Sequence, residues 1–341
     1  MEHHIYHHTE KVTLESGAVL PELRIQYSTY GTRNQDDSNV IWICHALTAN
    51  SDAESWWPGV VGPGYIFDPE KHFIICANIL SSCYGTTGPT ETNPITNEPY
   101  YLSFPVVTIR DMVLAHDLLR QHLGIHKIHT LIGGSLGGQQ ALEWSILQPQ
   151  VFQHLVLLAT NAQHSPWGIA FNESQRMAID MDPTWKNNSL DAGREGLKIA
   201  RSIAMLSYRS YETYDSTQKD EDVNKVDDFR VVSYQHYQGD KLVKRFNCHS
   251  YWYLSKAMDS HNVGRNRGSV LAALQQIKAK CLVVAISSDL LFPPLEQKFL
   301  ADNINGASYI YIDSLYGHDG FLVESEKITV VLKEFYKKAQ D

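Results

Sequence analysis

The chain has 341 residues, 43% hydrophobic and 20% charged, which suits one large domain with an insertion or two ordinary domains and excludes extended disorder. Its formal net charge of −9 argues against nucleic acid or an anionic membrane as the main partner, while leaving room for a local basic pocket. No window approaches the ~18 uninterrupted apolar residues of a membrane span, and the N-terminal MEHHIYHHTE lacks the apolar stretch of an export signal. A cytoplasmic enzyme is expected.

Within that N-terminus, His3, His4, His7 and His8 read as a frayed, solvated end rather than a metal site. Residues 11–14, 22–30 and 39–44 follow as strands with turns at Gly17 and Gly31, and antiparallel pairing is expected among them. Strand and helix patterns then alternate. Residues 72–79, 127–132 and 152–159 are apolar strand runs, while 108–123 and 136–147 have helical periodicity, the pattern of a mostly parallel sheet covered by helices. In the first helix Met112, His116, Leu119 and Leu123 recur on one face and Gly124 is placed to end it.

From residue 163 to 269 the strand rhythm stops and helical periodicity takes over, notably over 191–208 and 250–260. This is read as a helical lid inserted into a core made of residues 1–162 and 270–341. Residues 215–230, acidic and poor in apolar side chains, read as a solvated connection. Strands return at 280–286 and 307–312, with a helix after Pro294 and a last one from Glu324. The five cysteines, Cys44, Cys76, Cys83, Cys248 and Cys281, are odd in number and scattered, so they read as reduced core thiols.

The chemistry is carried by Gly133-Gly134-Ser135-Leu136-Gly137, a G-x-S-x-G between a strand run and a helical run, the setting of a nucleophile elbow. There the serine hydroxyl projects at a helix N-terminus, where developing negative charge is favoured. Its partners should follow in the order acid, then histidine, each just after a late strand. Asp289 in SSDLLFPP and His318 in YGHDGF fill those places. Asp313 is the weaker candidate acid, because it shares a connection with His318. Oxyanion donors are expected from the amides of Leu136, after the nucleophile, and Leu47, in the loop after residues 39–44. His45 is read as a turn residue rather than a second base.

The strings HALTANSDAESWWPGVVGPG, CANILSSCYGTTGPT, GGSLGGQQALEW, SSDLLFPP and YGHDGFLVE, in this order, resemble the homoserine O-acetyltransferase family. The likeness extends from near Val12 to the C-terminus and includes the lid strings SIAMLSYRS and YQGDKLVKRFNCHSYWYLSKAMD. It implies an α/β-hydrolase fold, a homodimer formed through the lid, and ping-pong transfer from acyl-CoA, most simply acetyl-CoA, through an acyl-Ser135 to the hydroxyl of homoserine in methionine biosynthesis. No bound cofactor or metal is called for.

By the same resemblance Arg209 grips the substrate carboxylate, Asp319 its ammonium group, and a lid tyrosine, Tyr211 or Tyr214, touches substrate. A zwitterion does need one fixed cation and one fixed anion. Ala49, His249 and Leu136 depart from the family pattern and leave the acyl group and acceptor less sharply specified. Lys241, Lys244 and Arg245 are candidates for CoA by charge alone. The alternatives are a succinyl donor, serine as acceptor, an esterase or thioesterase using water, and a silent scaffold. The paired Arg209 and Asp319 argue against an esterase for neutral substrates, and the complete triad argues against a scaffold.

Overall fold

In the computed structural model, which describes residues 1–340, an eight-stranded sheet runs through the molecule. Its strands are β1 (Glu2–His8), β2 (Leu23–Tyr30), β3 (Val40–Cys44), β4 (Phe73–Ala77), β5 (Ile128–Gly134), β6 (Phe152–Leu158), β7 (Lys280–Ile286) and β8 (Ser308–Ile312). They lie in the order β1-β2-β4-β3-β5-β6-β7-β8. Pairing is parallel from β4 to β8 and antiparallel only where β2 meets β1 and β4.

Two expectations are corrected here. The histidine-bearing N-terminus is not frayed: Glu2–His8 is the edge strand, with His3 and His4 side chains bonded to Ser28 and Thr29 at 3.0 and 2.8 Å. Alternation of Tyr6 and His8 against Ile5 and His7 gives it one partly covered face, a period-2 pattern obscured in the sequence by the histidines. Antiparallel pairing also stops at β2, since β3 lies parallel to both of its neighbours. Residues 11–14 form only a short hairpin arm, Val12–Thr13 against Val19–Leu20.

The middle strands are buried on both faces, which is why they read as continuous apolar runs. Trp42, Leu131, Leu155 and Val283 face one core, and Ile41, Ile132, Val156 and Val284 face the other. On the first face pack α1 (Ile109–His122) and α2 (Leu136–Leu147). The start of α1 is fixed by reciprocal caps: the Thr108 side chain accepts from the Asp111 amide, and the Asp111 carboxylate accepts from the Thr108 amide at 2.8 Å. Trp144 of α2 meets Trp42 edge-on at 4.9 Å between ring centres.

Between β6 and β7 the chain forms α3 (Pro166–Asp180), α4 (Arg194–Tyr208), α5 (Tyr211–Gln218), α6 (Arg230–Val243) and α7 (Cys248–Asp259). Part of the stretch read as a solvated connection is therefore helical, up to Gln218, because Ser210 caps α5 by accepting from the Thr213 amide. The return to the sheet is clamped by alternating charges. Glu15 bonds Arg110 and Arg265 at 2.8 Å each, while Glu143 bonds Arg110 at 2.9 Å and Arg267 at 2.5 Å. The chain ends with α8 (Pro294–Asn303) between β7 and β8 and α9 (Ser325–Gln340) after them. Among the described residues no helix is long and apolar enough to cross a membrane.

Candidate active site

The turn from β5 into α2 forces Ser135 to φ 57° and ψ −127°, a strained conformation for a residue with a side chain. It can form only because nothing protrudes beside it. A Cβ on Gly133 would lie 2.1 Å from the Gly137 carbonyl oxygen, and one on Gly137 would lie 2.0 Å from the Cys44 carbonyl oxygen. The strained turn is held from below: the Ser135 amide donates to the Leu158 carbonyl at 3.0 Å, and its carbonyl accepts from the Thr160 hydroxyl at 2.9 Å.

Asp289 and His318 lie in the turns after β7 and β8, and the structure joins them through Nδ1 of His318 and Oδ2 of Asp289 at 2.7 Å. The other Asp289 oxygen accepts from the amides of Leu291 and Phe292, each at 2.9 Å, so the carboxylate cannot swing. Phe292 stacks on the imidazole at 5.0 Å and Phe321 meets its edge at 5.3 Å. Asp313 instead accepts from the Ser287 hydroxyl at 3.1 Å.

Ser135 and His318 open on one cavity of about 470 Å³, also lined by Leu47, Arg201, Tyr208 and Asp319. The amides of Leu47 and Leu136 have no acceptor among the described residues. Gln140 ties their two segments together. Its side-chain amide donates to the carbonyls of His45, at 3.2 Å, and Leu136, at 3.1 Å, while its oxygen bonds His116 Nε2 at 2.9 Å. His45 is wholly buried, its pKa pushed down to about 4 by burial, and Nε2 accepts from the Ile79 amide at 3.2 Å. It is a neutral strut of the loop, which matches its reading as a turn residue.

On the lid side the structure separates the expected residues. Asp319 lines the cavity, but Arg209 does not; its Nε lies 3.1 Å from Asp319, off the hydrogen-bond axis, as a charge contact behind the wall. An arginine that does line the cavity on the α4 side is Arg201, whose guanidinium sits 5.2 Å from the ring centre of Tyr208 and has no hydrogen bond or ion pair among the described residues. Similarly, Tyr208 lines the cavity, whereas Tyr211 is exposed and Tyr214 bonds Gln235 at 3.4 Å. Sequence reading missed this pair. The available clue was helical spacing, since Arg201 and Tyr208 are two turns apart on α4 and share a face. Of the family departures, Ala49 lines the cavity, while His249 lies away from it, bonding the Ser189 carbonyl at 3.1 Å. Lys241 and Arg245 are also in its wall.

Sheet order, strained elbow and buried acid–histidine pair are those of an α/β hydrolase, and a family model described as alpha/beta hydrolase fold matches residues 39–325. A homoserine O-acetyltransferase of Cyclobacterium marinum is 47% identical over 98% of this chain and 95% of its own length. The chain belongs to the homoserine O-acetyltransferase family. Among solved structures, homoserine O-acetyltransferase from Bacillus anthracis aligns with TM-score 0.90 and 25% identity over 100% of this chain and 98% of that one. The L374D mutant of esterase E22 aligns with TM-score 0.90 and 26% identity over 98% and 99%.

Proposed function

We propose that this chain transfers an acetyl group from acetyl-CoA to the side-chain hydroxyl of homoserine in two steps through Ser135. The observation that carries the reading is the one cavity in which Ser135 and His318 share walls with a cation, Arg201, that has no ion pair among the described residues, and an acid, Asp319. The family relationship supports the same substrates.

Ser135 Oγ attacks the thioester carbonyl while His318 Nε2, left available because Nδ1 is taken by Asp289, receives the hydroxyl proton. The Leu47 and Leu136 amides hold the oxyanion. The C–S bond breaks, and the proton passes to the departing CoA sulfur. Homoserine then binds with its carboxylate on Arg201 and its ammonium on Asp319. Its hydroxyl gives a proton to His318 and attacks the ester, and that proton returns to Ser135. Arg209 balances the charge of Asp319 from behind. In this reading the lid residues 163–269 complete the cavity above the core. Serine, one methylene shorter, reaches the ester poorly from the same anchors.

Rapid-quench mass spectrometry with acetyl-CoA alone should show one acetyl group on the wild type and none on Ser135→Ala. No adduct on the wild type would overturn the reading. The likeness to an esterase makes hydrolysis the second reading; acetyl release that homoserine does not accelerate would favour it. We further infer a cytoplasmic homodimer joined through the lid, where Trp167, Met181 and Tyr211 are 54%, 83% and 77% exposed. Light scattering that gives 38.7 kDa at micromolar concentration would exclude the dimer.

A further inference from the structure

We propose that a second recess, joined to the catalytic cavity at Arg245, receives the phosphorylated nucleotide end of the acyl-CoA donor, a proposal that rests on the transfer reading above. The recess has a volume of about 290 Å³. Arg194, Lys244 and Arg245 line it against a single carboxylate, Asp191, in a chain whose formal net charge is −9. Such a local inversion of charge gathers anions.

Arg245 belongs to the walls of both spaces. It is fixed there, donating to the Thr48 carbonyl, to the Thr48 hydroxyl at 3.2 Å and to the Tyr84 hydroxyl at 3.0 Å. Lys241, in the wall of the catalytic cavity, is in the last turn of α6, and Lys244 and Arg245 follow at that helix's end. Cations at a helix C-terminus ordinarily serve its last carbonyls. Here Arg245 turns instead to Thr48 and Tyr84, and Lys244 has no hydrogen bond or ion pair among the described residues. Arg194 has only a loose, solvated contact with Asp191 at 3.4 Å.

The order of groups matches the order of the donor. A thioester at Ser135 sends its pantetheine arm past Lys241 and Arg245 and delivers its phosphates to Arg194 and Lys244, where Leu190 and Leu197 offer an apolar wall to a base. Guanidinium and ammonium groups are the donors that phosphate oxygens select.

Adenosine 3′,5′-bisphosphate, the free nucleotide end, is the probe. Calorimetric titration should show it binding the wild type, with Arg194→Gln and Lys244→Gln each weakening it about tenfold, the effect of one charge-assisted contact. Asp191→Asn should tighten it, a gain that damage to the fold does not produce. The KM for acetyl-CoA should rise in Arg194→Gln and Lys244→Gln, while that for S-acetylpantetheine, which lacks the nucleotide, stays the same. A wild type that does not bind the probe, variants that bind it unchanged, or equal KM rises with both donors would overturn the proposal. Absence of an acetyl-Ser135 from either donor would overturn the transfer reading instead, whereas the nucleotide titration decides the recess independently.

Discussion

The strand ends of the sheet and the helices between β6 and β7 line one cavity, yet they hold their side chains by different means. At the rim, Ser135 and Asp289 each follow a strand and are fixed by backbone bonds, Ser135 through Leu158 and Asp289 through the amides of Leu291 and Phe292. On the helical side, Arg201 is held by the face of α4 and the ring of Tyr208, and Arg209, just past that helix, reaches across to Asp319 beside His318 as a charge contact. Chemistry placed by a turn tolerates little movement. In the proposed reading, the Arg201 contact, placed by helix packing, can be altered without disturbing the chemistry.

Removing rim groups should therefore give the largest effects. Ser135→Ala should abolish acetylation by acetyl-CoA, and Asp289→Asn should slow it roughly 10,000-fold with the fold intact, since the imidazole loses the acid that orients it. Circular dichroism with single-turnover kinetics checks both, and near-normal turnover in Asp289→Asn would transfer the role to another acid. Under the lid, Arg201→Ala should slow acetyl transfer to homoserine about ten- to hundredfold, the range for a charged contact, and leave acetyl-Ser135 formation unchanged. Arg209→Ala should have the smaller effect on the same step. Stopped-flow separation of the half-reactions tests the division, and equal loss of both steps would remove these residues from acceptor binding.

Gln140 lies beneath the rim, tying the Leu47 and Leu136 segments together, and Gln140→Leu should lower kcat in both half-reactions by about tenfold with little change in KM, the weight of a buried hydrogen bond that positions the proposed oxyanion donors. A change confined to KM would assign it to substrate binding. The smallest effect concerns Glu296, whose carboxyl is pushed up from 4.5 to about 7, first by burial and then by the charge of Asp289. The folded state thus holds a proton that the unfolded chain releases near 4.5, so this group makes stability fall as pH rises from 4.5 to about 7. Glu296→Gln should flatten that fall and raise the thermal midpoint at pH 8 relative to the wild type. An unchanged pH–stability curve would show that the carboxyl ionises without cost.

The same contrast explains what the sequence disclosed. The positions of Ser135, Asp289 and His318 after strand ends were legible because the apolar runs of those strands announce themselves, and the structure puts Ser135 and His318 on one cavity with Asp289 bonded to the imidazole. The parallel sheet was legible from the alternation of runs, and the helix Leu136–Leu147 to the residue. Arg201 was not, because neighbouring arginines on α4 and just past it differ only in which side of the helix they occupy, and that is set by contacts with β8's following turn rather than by local pattern. The edge strand Glu2–His8 was hidden by its polar composition, since its partner supplies the stabilising bonds.

The clamp of Glu15, Arg110, Glu143, Arg265 and Arg267 has a consequence for how the molecule opens. It binds the segment leaving the lid to the N-terminal hairpin and to the helices α1 and α2, so that segment belongs to the cooperative unit of the sheet and not to that of the lid. In native-state hydrogen exchange the amides around Arg265 and Arg267 would open with the strands, at the global unfolding free energy, while lid helices would be free to exchange through smaller openings. The segment around Arg265 and Arg267 is thus tied to Glu15 and Glu143, which lie more than a hundred residues earlier in the chain.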